Sequence, residues 1–196
     1  MTVPGAGRGV RRVAVVLAAG EGRRFGGAKQ LAPFRGRPLL RHAIDAVASR
    51  TDVDETVVVL GAHADRVAAG VELDDVTVVR CERWDRGPSA SLAAGLAAAL
   101  RSGADEVLLT LGDQPLLRAA TVDRVLATPG DVVRATHGSR PGHPVVLRGA
   151  AIAEVAALND QERRAYLARA ARPVDVADVD AGADVDRPGD LDALGP

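Results

Sequence analysis

The sequence is poor in aromatic residues: two phenylalanines, one tryptophan and one tyrosine in 196 residues. The core of a single α/β domain, which a chain of this length can enclose, must therefore come from Ala, Val and Leu. A single cysteine, Cys81, excludes an internal disulfide framework and suits a reducing compartment. No apolar run approaches the roughly 18 residues of a membrane span. Neither charge sign dominates, with 25 basic against 26 acidic residues, so a broad nucleic-acid-binding surface is not expected. Met1 to Arg12 is rich in Gly and Arg but lacks an apolar signal core. Residues 1–11 are expected to be a flexible tail before one domain over 12–196, and the protein is expected in the cytoplasm.

Apolar runs alternate with helical patterns along the chain. Val13–Leu17, Thr56–Leu60, Val76–Val79 and Glu106–Leu111 read as buried strands. Val132–Ala135 and Val145–Leu147 read as two more, joined by a polar loop over Thr136–Pro141 that would close over a site. Val174–Val179 reads as an edge strand. Helices are expected over Pro38–Ala48, His63–Gly70, Ser89–Leu100 (with Ser89 as N-cap), Leu116–Ala127, Ala150–Ala157, Gln161–Ala171 and around Leu191. The alternation predicts a three-layer α/β/α sandwich with a mostly parallel sheet. Ligands of such sheets bind at the carboxyl ends of the strands.

Two clusters lie at those ends. After the first strand come Leu17, Ala18, Ala19, Gly20, Glu21, Gly22, Arg23, Arg24, Phe25, Gly26, Gly27, Ala28 and Lys29. Glycines let the backbone turn sharply, and successive free amides form a concavity for phosphate oxygens. Arg23, Arg24 and Lys29 add positive charge, so the loop suits a polyphosphate; a plain turn with solvated arginines is the alternative. Phe25 interrupts the dinucleotide-binding pattern G-x-G-x-x-G, which disfavours an NAD-dependent oxidoreductase, and Ala28 and Gln30 break the P-loop pattern. After the fourth strand come Gly112, Asp113, Gln114 and Pro115. A lone carboxylate at a strand end suits Mg²⁺, which takes one or two carboxylates together with substrate phosphates. An aspartate there also suits a cap on the next turn.

Together, Leu17-Ala18-Ala19-Gly20, Arg24-Phe25-Gly26, Lys29-Gln30-Leu31 and Gly112-Asp113-Gln114-Pro115 resemble the MobA-like nucleotidyltransferases, from about residue 12 to residue 192. The similarity is greatest to the molybdenum-cofactor cytidylyltransferase branch, because Ala19 and Ala28 stand where the guanylyltransferase branch has Gly and an acidic residue. The resemblance implies a Rossmann-like fold of the nucleotide-diphospho-sugar transferase (GT-A-like) type. It also implies transfer of CMP from CTP to molybdopterin, with Mg²⁺ as cofactor and release of pyrophosphate. Lys29 would then face the α-phosphate, Arg24 the β- and γ-phosphates, and Asp113 the metal. Leu17, Ala18, Ala19, Gly20, Gly22, Ser89 and Ser91 would complete the nucleotide site. Gln114, Pro115 and His143, the last in a Gly142-His143-Pro144 segment, would face the acceptor.

Asp186 aligns with a second, metal-facing carboxylate of the family, although Arg187 and Gly189 depart from its Thr and Glu; a solvated acidic tail is the alternative. Trp84 is expected to be a core anchor. A molybdenum enzyme or its maturation chaperone is the implied downstream partner. The rival functions are a transferase using GTP or a sugar phosphate, and a non-catalytic nucleotide-binding protein that delivers the cofactor.

Overall fold

The computed structural model describes residues 9–195. The expected tail falls mostly on residues 1–8, outside the described residues. Arg11 is already tied to the sheet, since its backbone N–H donates to Asp105 (2.8 Å) and its guanidinium pairs with Glu55 (2.9 Å).

In chain order the elements begin with β1 (Arg12–Ala18), β2 (Pro33–Phe34), β3 (Arg37–Pro38), α1 (Leu39–Ala48), β4 (Glu55–Leu60) and α2 (Ala64–Gly70). The middle holds β5 (Thr77–Arg80), α3 (Pro88–Arg101), β6 (Glu106–Leu111) and α4 (Ala119–Ala127). The last part holds β7 (Val132–His137), β8 (Arg140–Arg148), α5 (Ala150–Ala157), α6 (Asp160–Ala170), β9 (Arg172–Asp175) and α7 (Pro188–Ala193).

Seven strands form one sheet in the order β5-β4-β1-β6-β8-β7-β9. Its pairings are parallel except where β8 runs antiparallel to both neighbours, β6 and β7. The period of two along each strand divides the core into two layers. Val13, Val15, Val57, Val59, Val107, Leu109, Val145 and Leu147 face α3 and α5. Ala14, Val16, Val58, Leu60, Leu108 and Val146 face α1 and α4. Small branched side chains thus fill both layers, as the scarcity of aromatics requires. The sheet has helices on both faces and is mostly parallel, as expected.

Several local expectations are corrected. The loop expected over Thr136–Pro141 is instead the end of the β7–β8 hairpin, where Thr136 pairs with Pro141 and His137 with Arg140. Backbone pairing there overrides the polar composition. Ser89 is not the N-cap of α3: Gly87 occupies that position and Pro88 starts the helix, where its missing N–H costs nothing. Pro38 lies outside the first turn of α1, in the short β2–β3 hairpin that the sequence pattern does not reveal. The edge strand β9 stops at Asp175, and Val176 turns inward to be fully buried.

An ion cluster closes the amino-terminal end of the central strands. The buried Glu106 carboxylate accepts from Arg12 of β1 and from Arg148 of β8. Arg148 also donates to the carbonyls of Leu126 (2.8 Å), Thr128 (3.0 Å) and Gly130 (2.6 Å). This cluster joins two strands that flank β6, at the end opposite the glycine-rich loop.

Candidate active site

β1 and β6 run parallel with Leu17 opposite Leu111, so the loops that follow them leave the sheet at the same edge. Gly112 fastens the two ends: its N–H donates to the Leu17 carbonyl at 2.9 Å.

The loop after β1 folds around one carbonyl. The Gly22 oxygen accepts from the N–H groups of Phe25 (2.9 Å), Gly26 (2.9 Å) and Gly27 (3.1 Å). Gly22 has φ +70°, and a Cβ there would lie 1.9 Å from the Gly27 oxygen, so only glycine fits. Lys29 then opens a short 3₁₀ turn, Lys29–Leu31. From that turn the buried Gln30 reaches back, its Nε2 donating to the carbonyls of Ala18 (2.7 Å) and Gly20 (3.1 Å). Gln30 thereby fixes the loop on the strand end. Sequence reasoning used Gln30 as part of a motif but gave it no role. His63, at the start of α2, also touches the loop through the Glu21 carbonyl (2.9 Å).

Charge converges at the loop mouth. Lys29 Nζ donates to Asp113 Oδ2 (2.6 Å), to the Val185 carbonyl (2.8 Å) and to Asp186 Oδ1 (3.3 Å). Arg24 pairs with the same Asp186 oxygen at 3.0 Å. The chain returns to the site because the Val185 N–H donates to the Asp113 carbonyl at 2.9 Å and the Val185 side chain is fully buried. Asp186 is therefore part of the cluster. Asp190 fastens the start of α7 by accepting from the N–H groups of Asp186 (2.8 Å) and Arg187 (2.7 Å). Arg23 stands apart, exposed and paired with Glu21.

The environment of Asp113 is unusual. Burial pushes its carboxyl above the usual range; Lys29 opposes this and Asp184 adds to it. Asp113 Oδ1 is buried and has no hydrogen-bond partner. An orphaned carboxylate oxygen next to a second carboxylate matches the donor set of a hard divalent cation that completes its shell with water and phosphate. Among the described residues no group of three or more acidic, His or Cys side chains could hold a metal alone. Two carboxylates plus substrate oxygens is the arrangement these residues fit.

Two cavities share Leu17 and Pro88 as a common wall. The first, about 370 Å³, is lined by the glycine loop, Arg24, Lys29, Asp113 and Asp186. The second, about 490 Å³, lies under α3, α5 and α6, with apolar walls that include Leu92, Leu109, Val145 and Leu167. His143 and Arg134 enter this second space. His143 is half-buried and lines both this cavity and the smaller pocket beside Gln114. Burial, reinforced by Arg134 and Arg163, pushes its pKa down to about 3, so it is neutral at physiological pH.

The other expected site residues are more scattered. Ala19 is buried behind the loop, and its carbonyl accepts from the Ala62 N–H at 3.2 Å. Ser91 is buried within α3. Ser89 is engaged elsewhere: its Oγ donates to Asp160 (2.6 Å) and accepts from Arg163. Gln114 is buried, with Nε2 donating to Asp184 at 2.7 Å, and lines a smaller pocket that His143 also borders. Pro115 follows in the turn. Trp84 is half-buried against the α3 layer and lines a shallow pocket near Gly61.

Known proteins resemble this chain in sequence and fold. The MobA-like NTP transferase domain family matches residues 14–175. The chain is 35% identical over 187 residues to the nicotine blue oxidoreductase of Paenarthrobacter nicotinovorans, covering 88% of this chain and 90% of that one. It is 34% identical over 163 residues to the bifunctional protein GlmU of Agrobacterium fabrum, but spans only 36% of that protein's length. Among solved structures, Rv0371c of Mycobacterium tuberculosis superposes with a TM-score of 0.80 at 30% identity, over 94% of this chain and 97% of that one. Rv0371c has also been solved as a complex with manganese. The loop, the strand-end aspartate and the extent of these matches agree: the chain belongs to the MobA-like NTP transferase family.

Proposed function

We propose that this chain is a nucleotidyltransferase that moves CMP from CTP to the terminal phosphate of molybdopterin. The observation that carries the reading is the convergence of Lys29, Arg24, Asp113 and Asp186 on one groove beside a separate, largely apolar chamber. An acceptor phosphate oxygen would form a bond to the α-phosphorus of CTP, the α–β bridging bond would break, and pyrophosphate would leave. The acceptor is already an anionic nucleophile, so alignment and charge neutralisation carry the catalysis.

In this reading Lys29 moves its hydrogen bonds from the two carboxylates to the α-phosphate, and Arg24 turns to the β- and γ-phosphates. Gly20 and Gly22 present backbone amides to the triphosphate. Asp113 and Asp186 would hold Mg²⁺, which supplies neutralising charge to phosphate oxygens; the manganese complex of Rv0371c supports a divalent ion. CTP is favoured over GTP by Ala19 and Ala28, through their likeness to the cytidylyltransferase branch. Molybdopterin as acceptor, a molybdenum enzyme or maturation chaperone as recipient, and a cytoplasmic setting belong to the same reading. No helix among the described residues is long and apolar enough to cross a membrane.

Pyrophosphate release with molybdopterin, with and without bound molybdenum, tests this proposal across the four triphosphates. CTP is expected to support turnover, and GTP far less. A preference for GTP would overturn the nucleotide assignment, and no turnover with any triphosphate would favour a delivery protein. The relative named nicotine blue oxidoreductase supports a second reading, in which the chain is an oxidoreductase and the apolar chamber takes its substrate. Turnover of nicotine blue with no triphosphate present would select that reading.

A further inference from the structure

The inward row of β7 on the α3 side reads Val132, Arg134: a guanidinium occupies a position that the strand period assigns to the core. Its Nε donates to the Gly142 carbonyl at 3.1 Å. No carboxylate pairs with Arg134 among the described residues. Asp160, on the facing helix α6, is already committed to Arg163 (2.7 Å) and to Ser89 (2.6 Å). The other ionisable groups around the chamber are Arg163, Arg164 and the neutral His143. Burial and the neighbouring Arg163 both act against the charge on Arg134. A guanidinium nonetheless stays protonated in proteins, so this is a half-buried positive charge on the chamber wall with no ion-pair partner among the described residues. Beyond its one bond to a backbone carbonyl, a partly desolvated charge without a counter-ion is a cost to the fold.

We propose that Arg134 is the specificity-determining residue of the chamber, binding an oxyanion carried by a ligand whose body is apolar. The walls contributed by Leu92, Leu109, Val145, Leu167 and Leu17 take the body, and the guanidinium takes the anionic group. The neutral imidazole of His143 adds a hydrogen bond without competing for the anion. This reading rests on the proposed transfer reaction, with the chamber lined by His143 taking the acceptor, yet its test needs neither nucleotide nor turnover.

Two fluorescent dyes with the same aromatic body isolate the charge: 1-anilinonaphthalene-8-sulfonate is anionic, and N-phenyl-1-naphthylamine is its neutral counterpart. The wild type is expected to bind the anionic dye more tightly. Arg134→Met should weaken that dye by at least about tenfold and leave the neutral dye unweakened, as expected for truncating one side of a desolvated charge contact. Arg134→Lys should recover part of the loss. Arg134→Met should also keep or raise the melting temperature, whereas an arginine that serves the fold would lower it. Leu167→Trp, which fills the chamber, should weaken both dyes. Displacement of the anionic dye by 1-naphthyl phosphate or by 1-naphthoate distinguishes a phosphate from a carboxylate ligand.

Equal weakening of both dyes by Arg134→Met, unchanged affinity for the anionic dye in that variant, or anionic-dye binding that survives Leu167→Trp would each overturn the proposal. Absence of pyrophosphate release would sink the transferase reading and leave this one standing.

Discussion

Lys29→Ala should lower kcat by about two to three orders of magnitude, the scale of losing a charge contact at an excluded reaction centre. Its ammonium is mostly shielded from solvent, with 13% of the side chain exposed, so its field is weakly screened. Asp113→Asn should cost a similar factor, because it removes the carboxylate that Lys29 contacts at 2.6 Å. Steady-state pyrophosphate release measures both. The pH profile of the residual Lys29→Ala activity adds a signed check. Burial raises the Asp113 carboxyl, and Lys29 opposes that rise. Activity requires the ionised carboxylate and falls as pH drops through its pKa. Without Lys29 that pKa climbs further, so the acid limb should move to higher pH. An acid limb that stays put would show that the two groups are not coupled.

Glu106→Ala should instead act on stability. The 4%-exposed carboxylate holds Arg12 and Arg148, and its removal leaves two positive charges facing each other across the strand ends. Breaking such a buried pair costs about 3–5 kcal/mol. Both arginines keep some access to water, at 19% and 23% exposure, so the lower end applies here. About 3 kcal/mol corresponds to a drop in melting temperature of roughly 6–12 °C for a chain of this size. The cluster sits at the opposite end of the sheet from the loop, so kcat below the transition should stay near the wild-type value. A thermal melt paired with a rate measurement separates the two effects.

These contrasts show which features were legible in the sequence. β1, β4 and β6 are uninterrupted apolar runs, as strands covered on both faces must be. Their parallel register then brings the glycine loop and Asp113 to one edge, so the proximity of Lys29 and Asp113 follows from the pattern of strands and helices. The distal end of the β7–β8 hairpin was not legible, because Thr136, His137, Arg140 and Gly142 have turn-like composition and only tertiary pairing holds them extended. The register also shifts between Arg134 and Thr136, which blurs the alternation there. Arg134 carried a weak signal, an arginine on the same face as Val132, but a sequence cannot show that the facing helix offers it no free carboxylate. Asp186 could be placed only by resemblance, since the contacts that bring it back, through Val185 and Asp113, span more than seventy residues.

The central claim is that Asp113 and a divalent ion act on the same triphosphate as Lys29. Calorimetric titration of CTP with and without Mn²⁺, in the wild type and in Asp113→Asn, tests it most directly. Mn²⁺ should tighten CTP binding by about tenfold or more in the wild type, a usual size for coupling between two ligands, and give almost no gain in the variant. An equal gain in both proteins would contradict the account.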